Sequence, residues 1–188
     1  MRNINTTVKN YSGQLLLAHP LLIDPNFCRS VVLLSMHSDE EGALGVIINR
    51  PLGKKLSDFD KSQAGLPYAD MPVFEGGPVA TEQIIITAWQ WLPEGNGFKL
   101  YFGITLEKVG ELMEIDPFTQ VCCFMGHAGW TSGQLETEMK QPSWVVTPVV
   151  SAECIEGDLK TNLWKKNIKK VDFEYQFLVD TPDDPAVN

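Results

Sequence analysis

The 188-residue sequence lacks an apolar run long enough to cross a membrane. Its longest apolar runs, such as VVLL and GVII, fall far short of the ~20 residues that a spanning helix needs. The first ten residues, MRNINTTVKN, also lack the apolar core of a secretory signal. These absences predict a cytoplasmic protein that makes no membrane contact.

Cysteine and histidine are scarce as well. The chain has only four cysteines, at irregular spacings: Cys28, Cys122, Cys123 and Cys154. This pattern excludes a disulfide framework and indicates free thiols in a reducing compartment. The three histidines lie in separate segments, without the spacing of a chelating pair: His19, His37 and His127. We therefore predict neither a metal site nor a cofactor.

Positive charge is in short supply. The sequence has 15 Lys and Arg against 24 Asp and Glu, which gives a net charge of −9. Such a chain repels a nucleic-acid backbone unless it carries a strong local basic patch. One run of lysines offers such a patch on the last predicted helix: Lys165, Lys166, Lys169 and Lys170. We interpret it as the solvated face of an amphipathic helix, and direct nucleic-acid binding is not expected.

Short apolar runs bounded by turn residues predict buried strands at residues 13–18, 31–36 and 44–49, the last of which Pro51 is expected to end. The dipeptide Asn96-Gly97 predicts a hairpin turn between the strands EQIIITAW and KLYFG. Helical spacing of apolar residues follows at 106–115 and 158–171, and SGQLETEMK also predicts a helix. Hairpins in the first half and strand–helix alternation in the second indicate an α+β fold with a largely antiparallel sheet.

No linker or internal repeat divides the chain, so we expect a single compact domain over residues 1–180. Residues 181–188 are acidic and proline-rich, and we expect them to form a flexible tail.

The stretch GHAGWTSGQLETE, residues 126–138, is predicted to join a strand to a helix through a loop. Thr131 and Gln134 have the spacing of a capping box, and a glycine-flanked helix N-terminus offers backbone N–H groups to an anion. However, the glycines match neither a phosphate-binding loop nor a dinucleotide fingerprint. A structural turn is the favoured interpretation, with a ligand site as the alternative.

Three further stretches have both a structural and a functional interpretation. Arg50, at the end of a predicted strand, suits either a carboxylate or phosphate ligand or a structural salt bridge. Gly76 and Gly77 either line a cleft or make a tight bend between strands. Cys28 lies beside Arg29, whose charge lowers a thiol pKa where the two groups are close, but packing in a turn is favoured.

Four segments, in this order, resemble the YqgE/AlgH family of bacterial proteins: GQLLLAHPLLIDPNFCRSVVLLSMH, EGALGVIINRPLG, VFEGGPV and GHAGWTSGQLETEM. They span residues 13–139. The resemblance implies an α+β fold with a barrel-like antiparallel sheet flanked by helices. It implies no catalytic residues and no cofactor, because none is established for the family. Some members are labelled transcriptional regulators, although this sequence shows no helix-turn-helix signature.

The family segments are predicted to lie at strand ends and loops, where binding residues concentrate. We therefore expect one ligand or partner surface formed by His19, Asp24, Asn26, Asn49, Arg50, Gly76, Gly77, His127, Trp130, Thr131 and Gln134. The leading hypothesis is a non-enzymatic regulatory or binding protein that acts through a protein partner or a small anionic ligand. One alternative is a hydrolase of a small anion, with His127 as general base and the helix N-terminus near Thr131 and Ser132 as anion cradle. The other is a transcriptional regulator.

Overall fold

A computed structural model describes residues 10–93, 97–156 and 163–179 of the chain. The strands are β1 (Gln14–Ala18), β2 (Val31–Ser38), β3 (Gly42–Ile47), β4 (Pro51–Lys55), β5 (Pro72–Glu75), β6 (Val79–Trp91), β7 (Phe98–Phe102), β8 (Gln120–Trp130) and β9 (Trp144–Pro148). The helices are α1 (Leu56–Phe59), α2 (Leu106–Ile115), α3 (Gln134–Met139), α4 (Leu163–Val171) and α5 (Phe173–Val179). Short 3-10 turns cover Lys61–Gln63 and Ala152–Cys154. The predicted turn residue Asn96, the start of the helix predicted at 158–171 and the predicted tail lie outside the described residues.

The strands form one sheet that is organised around β8. The first half of β8 lies between β5, which runs parallel to it, and β6, which runs antiparallel. Its last residues pair instead with β3, which continues through β2 and β1 to β9. Every other described strand pair is antiparallel. The fold is therefore a single α+β domain with a largely antiparallel sheet flanked by helices. Since β4, β7 and β9 each pair with one described strand, the sheet is not closed into a barrel.

Two boundary predictions were wrong. The segment GHAGW is not a loop, because β8 continues through it to Trp130, paired with Ala43 of β3. Pro51 does not follow directly on a strand: β3 ends at Ile47, and Pro51 is the first residue of β4. Proline is tolerated at that position because β4 is an edge strand and its first residue need not donate to a ladder.

The hydrophobic core is centred on β1, β2 and β3, whose apolar residues are almost completely buried. Trp164 and Ile168 of α4 pack into the same core. The indole Nε1 of Trp164 donates to the carbonyl oxygen of Ala18 at 2.7 Å. This hydrogen bond connects α4 to β1. No helix of the described ranges is long and apolar enough to cross a membrane.

Candidate functional site

A pocket of about 270 Å³ opens where the β1–β2 connection, the end of β3 and the helices α4 and α5 meet. We call it the basic pocket. Its lining residues are Cys28, Arg29, Asn49, Arg50, Trp164, Lys165 and Val179. Three of the seven are cationic, although the whole chain has a net charge of −9. The pocket therefore concentrates positive charge at one place on an acidic protein.

Asn49 gives this pocket its shape. Its Oδ1 accepts a hydrogen bond from the backbone N–H of Val31 at 2.8 Å, and its Nδ2 donates to the carbonyl oxygen of Arg29 at 2.9 Å. The two bonds hold the segment that leads into β2. Within that segment Arg29 has a φ of 55°, in the left-handed region that residues other than glycine seldom adopt. Backbone in this region is strained, and such strain clusters at ligand sites.

Arg50 is held at two points. Its Nη1 donates to Glu75 at 3.0 Å, and its Nη2 donates to the carbonyl oxygen of Cys28 at 3.2 Å. The salt bridge considered for Arg50 is thus present, on the same side chain that lines the basic pocket. A guanidinium has five N–H donors in a fixed plane, and these two bonds use two of them. Arg50 is therefore a positioned cation with donor capacity for a ligand.

Trp164 and Lys165 reach the pocket from the first turn of α4. The guanidinium carbon of Arg29 lies 5.6 Å from the centroid of the Trp164 ring, within range of a cation–π interaction. The lysines of α4 lie on the side of the helix away from its buried residues, as predicted for an amphipathic helix. Lys165 lines the pocket, while Lys166 and Lys170, one turn apart, approach Glu153 at 3.0 Å and 3.8 Å.

Gly76 and Gly77 pack against the backbone of β8. A Cβ on Gly76 would lie 2.2 Å from the carbonyl oxygen of Gly126, and one on Gly77 would lie 2.3 Å from that of His127. Gly126 itself has a φ of 70° and lies where β8 changes partners. These glycines permit a close crossing of two chain segments, so their observed role is the tight bend between strands.

Trp130 belongs to a buried aromatic cluster with Phe27 and Trp144, at ring separations of 6.0 Å and 5.7 Å. The indole Nε1 atoms of Trp130 and Trp144 both donate to Oε2 of Glu138, at 2.9 Å and 2.8 Å. Gln134 donates to the other oxygen of the same carboxylate at 2.9 Å. Trp130 is therefore fixed by contacts typical of structural packing.

The predicted capping box at Thr131 forms only in part. Oε1 of Gln134 accepts from the backbone N–H of Thr131 at 3.0 Å, as expected, but the Thr131 hydroxyl contacts the same oxygen instead of capping the helix. The N-cap of α3 is Gly133 in a left-handed conformation, which shifts the start of the helix to Gln134. Helix α3 has six residues, and its N-cap makes no side-chain hydrogen bond. Thr131 and Gln134 line a second cavity, of about 400 Å³, together with Trp130. We call it the Trp130 groove.

His127, the candidate general base, is not among the residues lining either cavity. Its Nδ1 is buried without a hydrogen-bond partner among the described residues. A general base needs a substrate or orienting group within hydrogen-bond reach. The described residues provide no such arrangement for the hydrolase alternative.

The remaining predicted residues lie in the β1–β2 connection. Nδ1 of His19 accepts from the backbone N–H of Leu21 at 3.2 Å, and burial lowers the pKa of His19. Oδ1 of Asp24 accepts from the backbone N–H of Asn26 at 2.7 Å, and the Asp24 carbonyl oxygen accepts from Cys28 at 2.7 Å. Asp24 thus shapes the turn that delivers Cys28 to the basic pocket.

The structure brings only two of the predicted site residues, Asn49 and Arg50, to the basic pocket. The family segments nevertheless touch one another in series: Cys28 contacts Arg50, Arg50 contacts Glu75, and the adjacent Gly76 packs on Gly126. The grouping of Arg29, Trp164 and Lys165 was missed because α4 lies more than 100 residues away along the chain. The lysine run was the one sequence signal that pointed to it.

Sequence reasoning also missed a pair that joins β2 to α3. Nε2 of the buried His37 lies 2.6 Å from Oε1 of Glu136. Its Nδ1 accepts from the backbone N–H of Tyr11 at 3.4 Å, so Nε2 carries the proton that Glu136 accepts. In the described ranges no group of three His, Cys, Asp or Glu residues is placed to hold a metal ion. Burial raises the pKa of Cys122 to about 12 and that of Cys123 to about 11, so neither thiol is reactive near neutral pH.

Comparison with known proteins gives consistent matches over most of the chain. A sequence model of the AlgH-like family matches residues 15–176. A UPF0301 protein of Streptomyces avermitilis is 35% identical over 198 residues, with 97% of this chain and 98% of that protein covered. A UPF0301 protein of Chlorobaculum tepidum is 32% identical over 187 residues, covering 94% of this chain and 95% of that protein.

Two solved structures share the fold. The solution structure of the AlgH protein from Pseudomonas aeruginosa superposes with a TM-score of 0.64 at 22% identity, over 98% of this chain and 100% of that one. A crystal structure of a Corynebacterium diphtheriae protein gives a TM-score of 0.67 at 20% identity, over 92% and 93% of the two chains. At these identities the likeness bears on the fold alone.

Proposed function

The chain belongs to the AlgH-like family, and we propose that it is a non-enzymatic regulatory protein that binds a small, multiply charged anion in the basic pocket. Arg50 and Asn49 are the predicted site residues that take part. Arg29 and Lys165 add positive charge to the pocket, although neither was among the predicted site residues. A cytoplasmic location and a lack of direct nucleic-acid contact stay predictions.

The observation that carries this proposal is the convergence of Arg29, Arg50 and Lys165 on one pocket of an acidic chain. Glu75 pairs with Arg50, and its side chain is about half exposed. Guanidinium and ammonium groups have several N–H donors each, so cations grouped at one pocket suit a ligand with two or more negative charges.

The size and chemistry of the pocket favour a small phosphate or carboxylate compound. At about 270 Å³ it lies at or just below the lower end of the range typical of small-molecule sites. Guanidinium groups recognise carboxylate and phosphate through paired, charge-assisted hydrogen bonds. A nucleic-acid backbone needs an extended track of cations instead. One confined pocket therefore favours a small ligand.

The lining residues favour binding over catalysis. Within the part of the chain that the structure describes, they include no histidine and no carboxylate. Among the described lining residues, Cys28 and Lys165 have side chains that can act as nucleophiles, and no histidine or carboxylate lies with them as a general base. Arginine and lysine stabilise a bound anion without transferring a proton at neutral pH. These features support a sensor or carrier of an anion.

A thermal-shift series tests the proposal. Inorganic phosphate, pyrophosphate and citrate are each added to the purified protein, with neutral sugars as the reference. A ligand at 100 times its dissociation constant stabilises the fold by about 2.7 kcal/mol, which is a rise of about 5–10 °C in a domain of this size. We expect such a rise with at least one polyanion.

Two variants locate the binding. Lys165→Ala and Arg50→Gln each remove one pocket cation, and we expect them to lose most of the shift. Lys108→Ala is the matched control, because Lys108 pairs with Glu111 on the exposed face of α2. A shift that persists in both pocket variants, or that disappears equally in the control, places the binding elsewhere and contradicts the proposal.

A further inference from the structure

We propose that the Trp130 groove is a second ligand site, which binds a small aromatic amine. The groove has a volume of about 400 Å³ and lies where β8 leaves β6 and pairs with β3. This volume is within the range typical of small-molecule sites. The groove shares no lining residue with the basic pocket, so the inference does not depend on anion binding there.

A glycine lines the groove without filling it. Gly129 is exposed, and a Cβ built on it would meet nothing closer than the His127 ring, at 3.8 Å. Its φ is not in the left-handed region, so the backbone conformation does not require glycine at this position. Glycine inside a strand often marks a place where a ligand approaches the backbone closely. The missing side chain leaves an open position on the sheet, against which a flat ring can lie.

Apolar side chains surround this open position. Leu44 pairs with Gly129, and Met36 pairs with Leu44, so the three residues form one row across β8, β3 and β2. Val79 of β6 is 43% exposed and pairs with His127, which lies on the same face of β8 as Gly129. Methionine makes favourable contacts with aromatic rings. These walls suit an apolar group, and an aromatic one in particular.

The charge at the groove is negative. Glu41 lines it, and its described lining residues include no lysine, arginine or histidine. Glu41 belongs to the turn between β2 and β3, in which Asp39 and Glu40 are also exposed. Within the described ranges, the carboxylates of these three residues make no hydrogen bond or ion pair. A cationic group is therefore complementary to the groove, whereas an anion is repelled.

The groove also offers acceptors for the N–H groups of an amine. An ammonium has three donors, and the carboxylate of Glu41 has two acceptor oxygens. Thr131 lines the groove as well, and its hydroxyl donates to Oε1 of Gln134 at 3.2 Å, so the hydroxyl oxygen keeps capacity to accept. A ring placed over Gly129, with an ammonium on a short arm, uses both the apolar walls and these acceptors.

The position of the groove in the sheet favours a small molecule over a peptide strand. Residues 43–45 of β3 pair with residues 128–130 of β8, so their backbones already form a ladder with each other. A peptide that adds a strand needs a free sheet edge. The groove lies over paired strands, where a ligand binds through side chains and the exposed glycine.

The test is an NMR titration of the full-length protein with phenethylamine, which joins a phenyl ring to an ammonium by a short arm. The matched probes are hydrocinnamate, with a carboxylate in place of the ammonium, and phenethyl alcohol, which is uncharged. We expect a saturable shift of the Trp130 indole signal with the amine, because Trp130 lines the groove. The amine should bind roughly two- to fivefold tighter than the alcohol, as for an exposed ion pair, and the carboxylate should bind most weakly.

Two variants locate the binding. Gly129→Val fills the open position and should abolish the shift, whereas Gln120→Val places the same side chain at an exposed position at the start of β8 and should keep it. Glu41→Gln should weaken amine binding by roughly two- to fivefold and leave binding of the alcohol unchanged. Its control is Glu40→Gln, since Glu40 is exposed beside it but does not line the groove.

Each alternative outcome contradicts the inference. It is overturned if the amine does not bind, or if amine, alcohol and carboxylate bind equally. It is also overturned if amine binding is the same in Glu41→Gln as in the wild type, or persists in a folded Gly129→Val protein. Thermal unfolding shows whether Gly129→Val folds, and if it does not, the exposed Glu41→Gln change decides. None of these results bears on the basic pocket, which is tested with pyrophosphate and the Trp164 signal.

Discussion

Asn49 fixes the backbone of Arg29 by donating from Nδ2 to the Arg29 carbonyl oxygen at 2.9 Å. The same side chain accepts from Val31 at 2.8 Å, so one amide ties the strained residue to the first residue of β2. A core strand thereby sets the geometry of a charged pocket. Asn49 acts as a positioning residue, while Arg29, Arg50 and Lys165 face the ligand that we propose.

Replacing Asn49 by alanine should weaken both the fold and the pocket. The change leaves the Val31 N–H and the Arg29 carbonyl without this partner, at a cost of about 1–3 kcal/mol. For a domain of this size each kcal/mol lowers Tm by about 2–4 °C. Thermal unfolding measures the loss, and Asn26→Ala is the control because Asn26 is exposed in the same region of the chain. Equal Tm values for the two variants would mean that Asn49 does not hold the segment.

Gly76→Ala should be strongly destabilising. The added Cβ would lie 2.2 Å from the carbonyl oxygen of Gly126, which is backbone and cannot rotate away. Overpacking of this kind typically costs about 1–3 kcal/mol and sometimes more. Gly129→Ala is the control, because its Cβ would meet only the His127 ring, at 3.8 Å. Urea unfolding compares the two, and a Gly76→Ala protein as stable as the control would refute the close crossing.

Glu138→Gln should loosen the aromatic cluster around Trp130. One carboxylate oxygen accepts from two indoles and the other from Gln134, so an amide NH₂ group fits neither position. We expect a loss of about 1–3 kcal/mol and a red shift of tryptophan fluorescence. Glu111→Gln, on the exposed face of α2, should leave both unchanged. An unshifted spectrum in Glu138→Gln would contradict the shared acceptor.

His37 and Glu136 should show strong energetic coupling. Their side chains meet at 2.6 Å, with His37 buried, and the pair connects β2 to α3. A double-mutant cycle with His37→Ala and Glu136→Ala, measured by urea unfolding, should give a coupling energy of about 1–3 kcal/mol. Additive single effects would show that the pair contributes nothing beyond its separate members.

The α+β class could be predicted from the sequence, because hairpins and the alternation of strands with helices are recognisable in short stretches. The continuation of β8 through GHAGW could not be predicted in this way. A glycine-rich stretch indicates a turn unless the strands that pair with it are known. Here Ala43 and Val79 supply those partners, for Trp130 and His127, from 87 and 48 residues away. The same limit applies to the basic pocket. Arg50 could be identified from the sequence as a candidate binding residue at a strand end. That Lys165 lines the same pocket depends on how α4 packs on β1.

Trp130 was predicted at the site for its place in a glycine-rich motif, and the structure gives it a full set of packing partners. It is 5% exposed, and its indole bonds to Glu138. Truncating such a side chain costs about 3–5 kcal/mol, so Trp130→Ala cannot separate binding from stability. The native Trp130 side chain is useful instead as a spectroscopic reporter for the Trp130 groove.

The most direct test of anion binding in the basic pocket is an NMR titration of the five tryptophan indole signals with inorganic pyrophosphate. Trp164 lines the basic pocket and Trp130 lines the Trp130 groove. Trp89 and Trp91 donate to Glu156 and are among the lining residues of neither cavity. We predict a saturable shift of the Trp164 signal alone, abolished by Lys165→Ala. A shift centred on Trp130, or no shift of any indole, would contradict the assignment of this pocket as the site of function.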